Sequence, residues 1–261
     1  MKGNKLSTFA YGASIFGMVL ALGACNAQIS GNIEGKINIP AKVAVVSTLA
    51  GTDEAGFADG PGTSAFFMRP SGVAVDKDGN VYVTDRGNHR IRRITPAGAV
   101  STLAGTGDAD YLDNIIGTLA KFNYPTEVAV DKDGNVYVAD EFNHRIRRIT
   151  KDGAVSTLAG TGEAGFADGP GTSAFFVRPS GVAVDKDGNV YVADTYNHRI
   201  RMITPAGAVS TLAGTGDADY LDNNIGTLAK FKFPNGVAVD KDGNVYVADE
   251  FNHRIRKITF E

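Results

Sequence analysis

The sequence predicts an all-β chain in which one unit of about 55 residues occurs four times, and the fold class it points to is a β-propeller. Three observations carry this. The string Asn-His-Arg-Ile-Arg begins at Asn88, Asn143, Asn197 and Asn252, at spacings of 55, 54 and 55 residues, and a fixed period of that length marks a repeat architecture. Each unit holds four short runs rich in β-branched residues, separated by turn signals. Glycine accounts for 32 of 261 residues, well above the usual share of roughly 7%, and recurs at fixed places between those runs, as many tight turns require.

In chain order, Met1 to Ala24 has the parts of an export signal: positive Lys2 and Lys5, then a mostly apolar run from Phe9 to Leu22. The run is shorter and richer in small residues than a membrane span of about 20 apolar residues. Leu22-Gly23-Ala24-Cys25 resembles the bacterial lipobox, in which cleavage precedes a lipid-carrying cysteine. Cys25 is the only cysteine, so no intramolecular disulfide is possible. The resemblance implies a lipid at Cys25 and anchorage by several acyl chains. Asn26 follows where inner-membrane retention uses Asp, which implies the outer membrane, at its periplasmic face or on the cell surface. A polar tether over 25–42 then leads to the repeats, expected from residue 43 to 261.

Four strands are expected in the first copy. Gly72-Val73-Ala74-Val75-Asp76 is short and compact, as an innermost strand must be. Asp78-Gly79-Asn80 turns the chain into Val81-Tyr82-Val83. A turn at Arg86 to His89 leads into Arg90 to Thr95, and Pro96-Ala97-Gly98 turns it into Val100 to Ala104. Ile91 and Ile94, three apart, break strict alternation; either both sheet faces are covered by neighbouring blades or the strand is bulged. A repeating four-stranded antiparallel unit of this size is a propeller blade.

The pattern GVAVD, GNVYVAD, NHRIR and VSTLAG, repeated from about Val43 to Phe260, resembles the NHL repeat. Arg stands where that family's name has leucine, after His89, His144, His198 and His253. The resemblance implies a propeller, usually of six blades. Here the last copy stops at Glu261 without its VSTLAG strand, and a surplus copy of that strand lies at Val46 to Gly51. The expectation is a four-bladed ring whose N-terminal strand completes the last blade; an open arc or part of a six-bladed ring is the alternative. Residues 46–154 match 155–261 at a displacement of 109 with about a dozen differences, so the duplicated unit is two blades.

The formal net charge is −3, and removal of Lys2 and Lys5 makes it more acidic, which argues against nucleic acid as a partner. Function is expected on the long loops, which alternate between two kinds. Phe57 and Asp59, repeated as Phe166 and Asp168, mark one. Asp108, Asp110, Tyr111 and Asp113, repeated as Asp217, Asp219, Tyr220 and Asp222, mark the other. These twelve form the candidate ligand-binding rim for an envelope protein, peptide or glycan, and the acidic sets are read first as solvated loops and second as calcium ligands. The four histidines are read as turn residues and the Asp-Lys-Asp-Gly-Asn turns as hairpins. Propeller enzymes of the lyase and lactonase kind, which resemble this family, need an asymmetric polar set around the channel. The innermost strands here offer only Glu127, against Gly72, Gly181 and Gly236, so no catalytic residue, metal or cofactor is expected. The reading is a lipid-anchored envelope binding protein, with a metal-dependent propeller enzyme as the alternative.

Overall fold

The computed structural model describes residues 44–260; the expected signal at 1–24, Cys25 and the tether to 42 lie outside them. Four antiparallel sheets follow one another, with only single 3-10 turns between strands among the described residues. Blade 1 holds β1 (Gly60–Pro61), β2 (Pro70–Val75), β3 (Val81–Asp85), β4 (Arg90–Ile94) and β5 (Ala99–Ala104), in the order β1-β5-β4-β3-β2. Blade 2 holds β6 (Pro125–Val130), β7 (Val136–Asp140), β8 (Arg145–Ile149) and β9 (Val155–Ala159), paired in sequence. Blade 3 repeats blade 1 with β10 (Gly169–Pro170), β11 (Val182–Val184), β12 (Val190–Asp194), β13 (Arg199–Ile203) and β14 (Ala208–Ala213). Blade 4 has three strands, β15 (Pro234–Val239), β16 (Val245–Asp249) and β17 (Arg254–Ile258).

The turns form for local reasons. At Asp76-Lys77-Asp78-Gly79-Asn80 the Gly79 N–H donates to Asp76 O at 3.1 Å with Gly79 at φ +81°, a conformation open to glycine. One Asp76 carboxylate oxygen accepts from the N–H groups of Asp78 and Asn80, and the other from Asn80 Nδ2 and the Tyr82 hydroxyl. The carboxylate is fully used by its own hairpin, as the hairpin reading expected. The Asn-His-Arg turn is one 3-10 turn, Arg86–Asn88, ended by His89 at φ 53°.

The cores lie between blades. Tyr82 and Ile91 of blade 1 pack with Phe122, Val128, Val136 and Ile149 of blade 2, and the pattern recurs between the later blades. Ile94 packs on the other side, with Val83 and Val100. Coverage of both faces by neighbouring blades holds in inner blade 2, where Ile149 packs with blade 1 and Ile146 with blade 3. Ile94, at the end of the arc, is instead covered by Ala65 and Phe67 of its own blade. The bulge also holds, the register against β5 shifting between Ile91 and Arg92. Each such isoleucine, fully buried, contributes roughly 1.5–3 kcal/mol.

Of the sequence-based alternatives, the open arc is the one the described residues adopt. Val46 to Gly51 forms no strand, and Val46 is 98% exposed. The end faces of the arc are bare: Val73 in β2 is 61% exposed where Val128 and Val182 are 3%, and Ile255 in β17 is 75% exposed where Ile91, Ile146 and Ile200 are 0%. With the ring unclosed, the first strand has no blade 4 edge within its own chain to join.

Candidate functional site

Each blade is built around a buried arginine. Arg147 donates from Nη1 to Asp140 (2.7 Å) and Lys121 O, from Nη2 to Asp113 (2.6 Å) and Leu112 O, and from Nε to Asp113. It lies between the rings of Tyr111 and Phe122, each 4.9 Å away. Arg92, Arg201 and Arg256 repeat this with Asp85 and Asp59, Asp194 and Asp168, and Asp249 and Asp222. Burial pushes the Asp194 carboxyl up, to about 6, against the pull of Arg201. At Asp113, burial is outweighed by Arg147 and by hydrogen bonds from Thr157, and the carboxyl is held below the usual range.

This network accounts for eight of the twelve rim candidates. Phe57, Tyr111, Phe166 and Tyr220 stack on the paired arginines of their own blades, while Asp59, Asp113, Asp168 and Asp222 clamp the buried one. Asp108 and Asp110 are exposed around Lys121, and Asp217 and Asp219 around Lys230. The long loops thus fasten each blade, and no group of His, Cys, Asp or Glu among the described residues is placed to hold a metal ion.

The histidines join one blade to the next. His89 Nδ1 accepts from Tyr124 N–H (3.1 Å), His144 from Arg178 N–H (3.0 Å) and His198 from Phe233 N–H (3.1 Å). Burial first, then neighbouring arginines, push these imidazoles below their ordinary range, which keeps Nδ1 an acceptor. The asparagine of the motif donates to the buried aspartate, as Asn88 does to Asp85 at 2.9 Å. Sequence reasoning gave the histidines a turn role, and each does end its turn; in His89, His144 and His198 the ring nitrogen also holds the seam to the next blade.

On the concave side of the arc, all four blades surround a cavity of about 390 Å³. In its wall Glu141, nearly buried, bridges Arg86 of blade 1 (2.8 Å) and Arg178 of blade 3 (2.7 Å). Glu250, the counterpart of Glu141 in blade 4, meets Asn235 Nδ2 at 2.9 Å. Burial pushes the Glu127 carboxyl up, opposed by N–H donation from Val128 and Val73. Ser71, Thr126 and Ser180 add hydroxyls. Phe233 is flanked by Tyr196 at 5.1 Å and Phe251 at 5.0 Å, and Arg178 lies 4.2 Å above the Phe142 ring. Arg69, Tyr124, Arg178 and Phe233, each before a proline, hold left-handed backbone with φ between 50° and 53°. Such strain in non-glycine residues persists only where the surroundings impose it, and it gathers at functional sites.

Of these residues only Glu127 was singled out by sequence. A signal for the others was present in the duplication. The two halves are nearly identical, yet Arg86 faces Thr195, Gly87 faces Tyr196, Tyr124 faces Phe233, Thr126 faces Asn235 and Glu127 faces Gly236. Every one of these pairs contributes at least one wall residue to the cavity.

Comparison with known proteins agrees with the repeat reading. The NHL repeat family matches at residues 67–94, 122–149, 176–201 and 231–258. NHL repeat-containing protein 2 of Bos taurus is 32% identical over 264 residues, covering 87% of this chain and 36% of that protein, so the chain spans little more than a third of that relative's length. Among solved structures, an auxiliary nutrient binding protein from Bacteroides thetaiotaomicron superposes with a TM-score of 0.59 at 22% identity, covering 74% of this chain and 48% of the other. A streptogramin B lyase superposes with a TM-score of 0.50 at 15% identity, over 73% and 51%. At these identities the two structures speak to the fold alone. The chain carries four NHL repeats in propeller-type blades.

Proposed function

We propose that this NHL-repeat protein is a binding protein whose ligand sits in the cavity at the channel-side end of the Asn-His-Arg rim, and that the ligand is a neutral, hydroxyl-rich unit of a glycan. The observation that carries the reading is that five of the differences between the duplicated halves, Arg86/Thr195, Gly87/Tyr196, Tyr124/Phe233, Thr126/Asn235 and Glu127/Gly236, meet at one cavity. Two guanidinium groups, three carboxylates, several hydroxyls and aromatic rings line it, a nearly charge-balanced set. Such a set offers hydrogen bonds to hydroxyl groups and flat faces to ring C–H bonds, and does not favour a strongly charged ligand. A structure described as a nutrient binding protein superposes on this chain, which supports a binding role in general, while the ligand class rests on the cavity lining.

The same reading places the protein in the bacterial envelope, anchored by lipid on Cys25 and held in the outer membrane. Globomycin, which blocks lipoprotein signal cleavage, should then cause the lipidated precursor to accumulate; processing indifferent to it would remove the anchor from the account. A metal-dependent lyase or lactonase is the competing reading. The Nδ1 atoms of His89, His144 and His198 already accept from the neighbouring blade, which argues against a histidine-bound metal in the channel.

The binding test is calorimetric titration with a panel of neutral mono- to trisaccharides and, in parallel, neutral dipeptides. A saccharide should bind, and Tyr196→Gly and Glu127→Gly, which install residues found at equivalent places in other blades, should each weaken it at least about tenfold, about 1.4 kcal/mol. Binding of dipeptides alone, or affinity unmoved by both variants, would overturn the reading.

A further inference from the structure

The two ends of the arc are the two halves of an interface that the chain already forms three times. At each inner seam a histidine accepts from the N–H of the residue before the next blade's proline. Among the described residues, no N–H reaches His253 in this way, and the N–H of Arg69, the equivalent donor in blade 1, has no such acceptor. Likewise Glu141 takes Arg178 from the following blade, while Glu250 takes no arginine, and Arg69 holds the position in blade 1 that corresponds to Arg178.

The outer edges match as well. Beside β17 runs a groove of about 720 Å³ lined by Asp222, Asn223, Gly226, Phe231, Ile258 and Phe260, among others. In blade 2 the equivalent groove is filled by β9: Asp113 accepts from Thr157 N–H (3.0 Å) and hydroxyl (2.9 Å), and Asn114 and Val155 exchange backbone hydrogen bonds. At the displacement of 109, β9 corresponds to Val46–Ala50, Thr157 to Thr48 and Val155 to Val46. The end of that segment already sits as an outer strand should. Gly51 N–H donates to Gly62 O at 2.9 Å, as Gly160 N–H does to Gly171 O at 2.9 Å.

We propose that the groove beside β17 is a docking site for the Val46–Ala50 segment of a second copy of this chain, which completes blade 4 as its fourth strand and brings Arg69 to Glu250 and His253. The occupant follows from continuity: the arc leaves both half-interfaces apart within one chain, and a second copy supplies both complements in the register the internal seams use. Main-chain pairing at an open sheet edge gives the affinity, and the covered faces of Val73 and Ile255 give the apolar contact. This does not depend on what the channel binds.

The test uses the full chain carrying Cys25→Ser, so that introduced thiols stand alone. In blade 2, Arg148 and Ser156 are direct cross-strand partners; their counterparts are Lys257 and Ser47. Separately purified Ser47→Cys and Lys257→Cys proteins are mixed under mild oxidant, and the parent is weighed by light scattering. The proposal expects a disulfide between the two different variants and a parent mass of at least two chains. It also expects Thr48→Pro, which removes the N–H meant for Asp222, to lower that mass to one chain. A monomeric parent, or a cross-link formed only inside a chain carrying both cysteines, would overturn it.

Discussion

Replacing Arg147 by methionine tests the reasoning about blade construction. Arg147 is fully buried and its partner Asp140 is equally so, 2.7 Å away. Methionine keeps the apolar volume beside Phe122 and Tyr111 but removes every donor of the guanidinium. Asp140 keeps the Asn123 N–H at 2.7 Å and Asn143 Nδ2 at 2.8 Å, but its charge is left without a cation. Breaking one partner from a buried ion pair costs about 3–5 kcal/mol. The second partner, Asp113, is partly solvated, so it adds little. Urea unfolding of the parent and Arg147→Met at pH 7 should differ by that amount. Burial already pushes the Asp140 carboxyl above its ordinary value against the pull of Arg147, and removing Arg147 raises it further. A carboxyl with a raised folded-state value favours folding while protonated and loses that contribution as pH rises. The deficit of Arg147→Met should therefore shrink between pH 8 and pH 5. A difference under about 1 kcal/mol, or a deficit independent of pH, would refute the claim that these arginines hold buried carboxylates in place.

Three further outcomes follow from the same structure. His89, His144 and His198 have folded-state values pushed below 6.5, so their contribution is present above that pH and is lost as pH falls below it; amide protection of Tyr124, Arg178 and Phe233, measured against the intrinsic exchange rate at each pH, should fall on acidification below about 6.5 and be steady above it. Asp131→Ala removes the acceptor of four hydrogen bonds in the blade 2 hairpin and should cost about 1–3 kcal/mol in urea unfolding; the Tyr137 hydroxyl, pushed to about 12 by burial and then by Asp131, should titrate at lower pH by ultraviolet absorbance. Gly171→Ala places a Cβ 2.5 Å from Leu158 O and 2.9 Å from Gly207 O, both main-chain atoms, and should lower the melting temperature by several degrees, about 1–3 kcal/mol.

The sequence carried the fold because the period and the turn chemistry are local. Asp-Gly-Asn hairpins, β-branched alternation and the Asn-His-Arg turn each act within about ten residues, and all landed where the string of repeats placed them. Closure was not legible, since whether Val46–Ala50 finds blade 4 depends on the angle between blades, which no local pattern records. The rim candidates were chosen for being long-loop aromatics and acids. That pattern equally describes Phe57 and Asp59 clamping Arg92, a contact across 33 residues of sequence. The cavity residues Arg86, Glu141 and Arg178 come from three blades and look like ordinary turn residues until each arginine is brought within 3 Å of Glu141. What sequence did hold was the mismatch between duplicated halves, counted as a near-identity when its positions were the more informative fact.

The central claim is that the five differing positions that meet at the cavity form the binding site. Making the second half like the first at five positions, with Thr195→Arg, Tyr196→Gly, Phe233→Tyr, Asn235→Thr and Gly236→Glu, erases the distinction at the cavity while using only residues the fold already accommodates elsewhere. The variant should unfold in urea as the parent does, and calorimetric titration with the tightest-binding saccharide of the panel should show at least about a hundredfold loss of affinity, about 2.7 kcal/mol. A variant that folds and binds as the parent does would contradict the account.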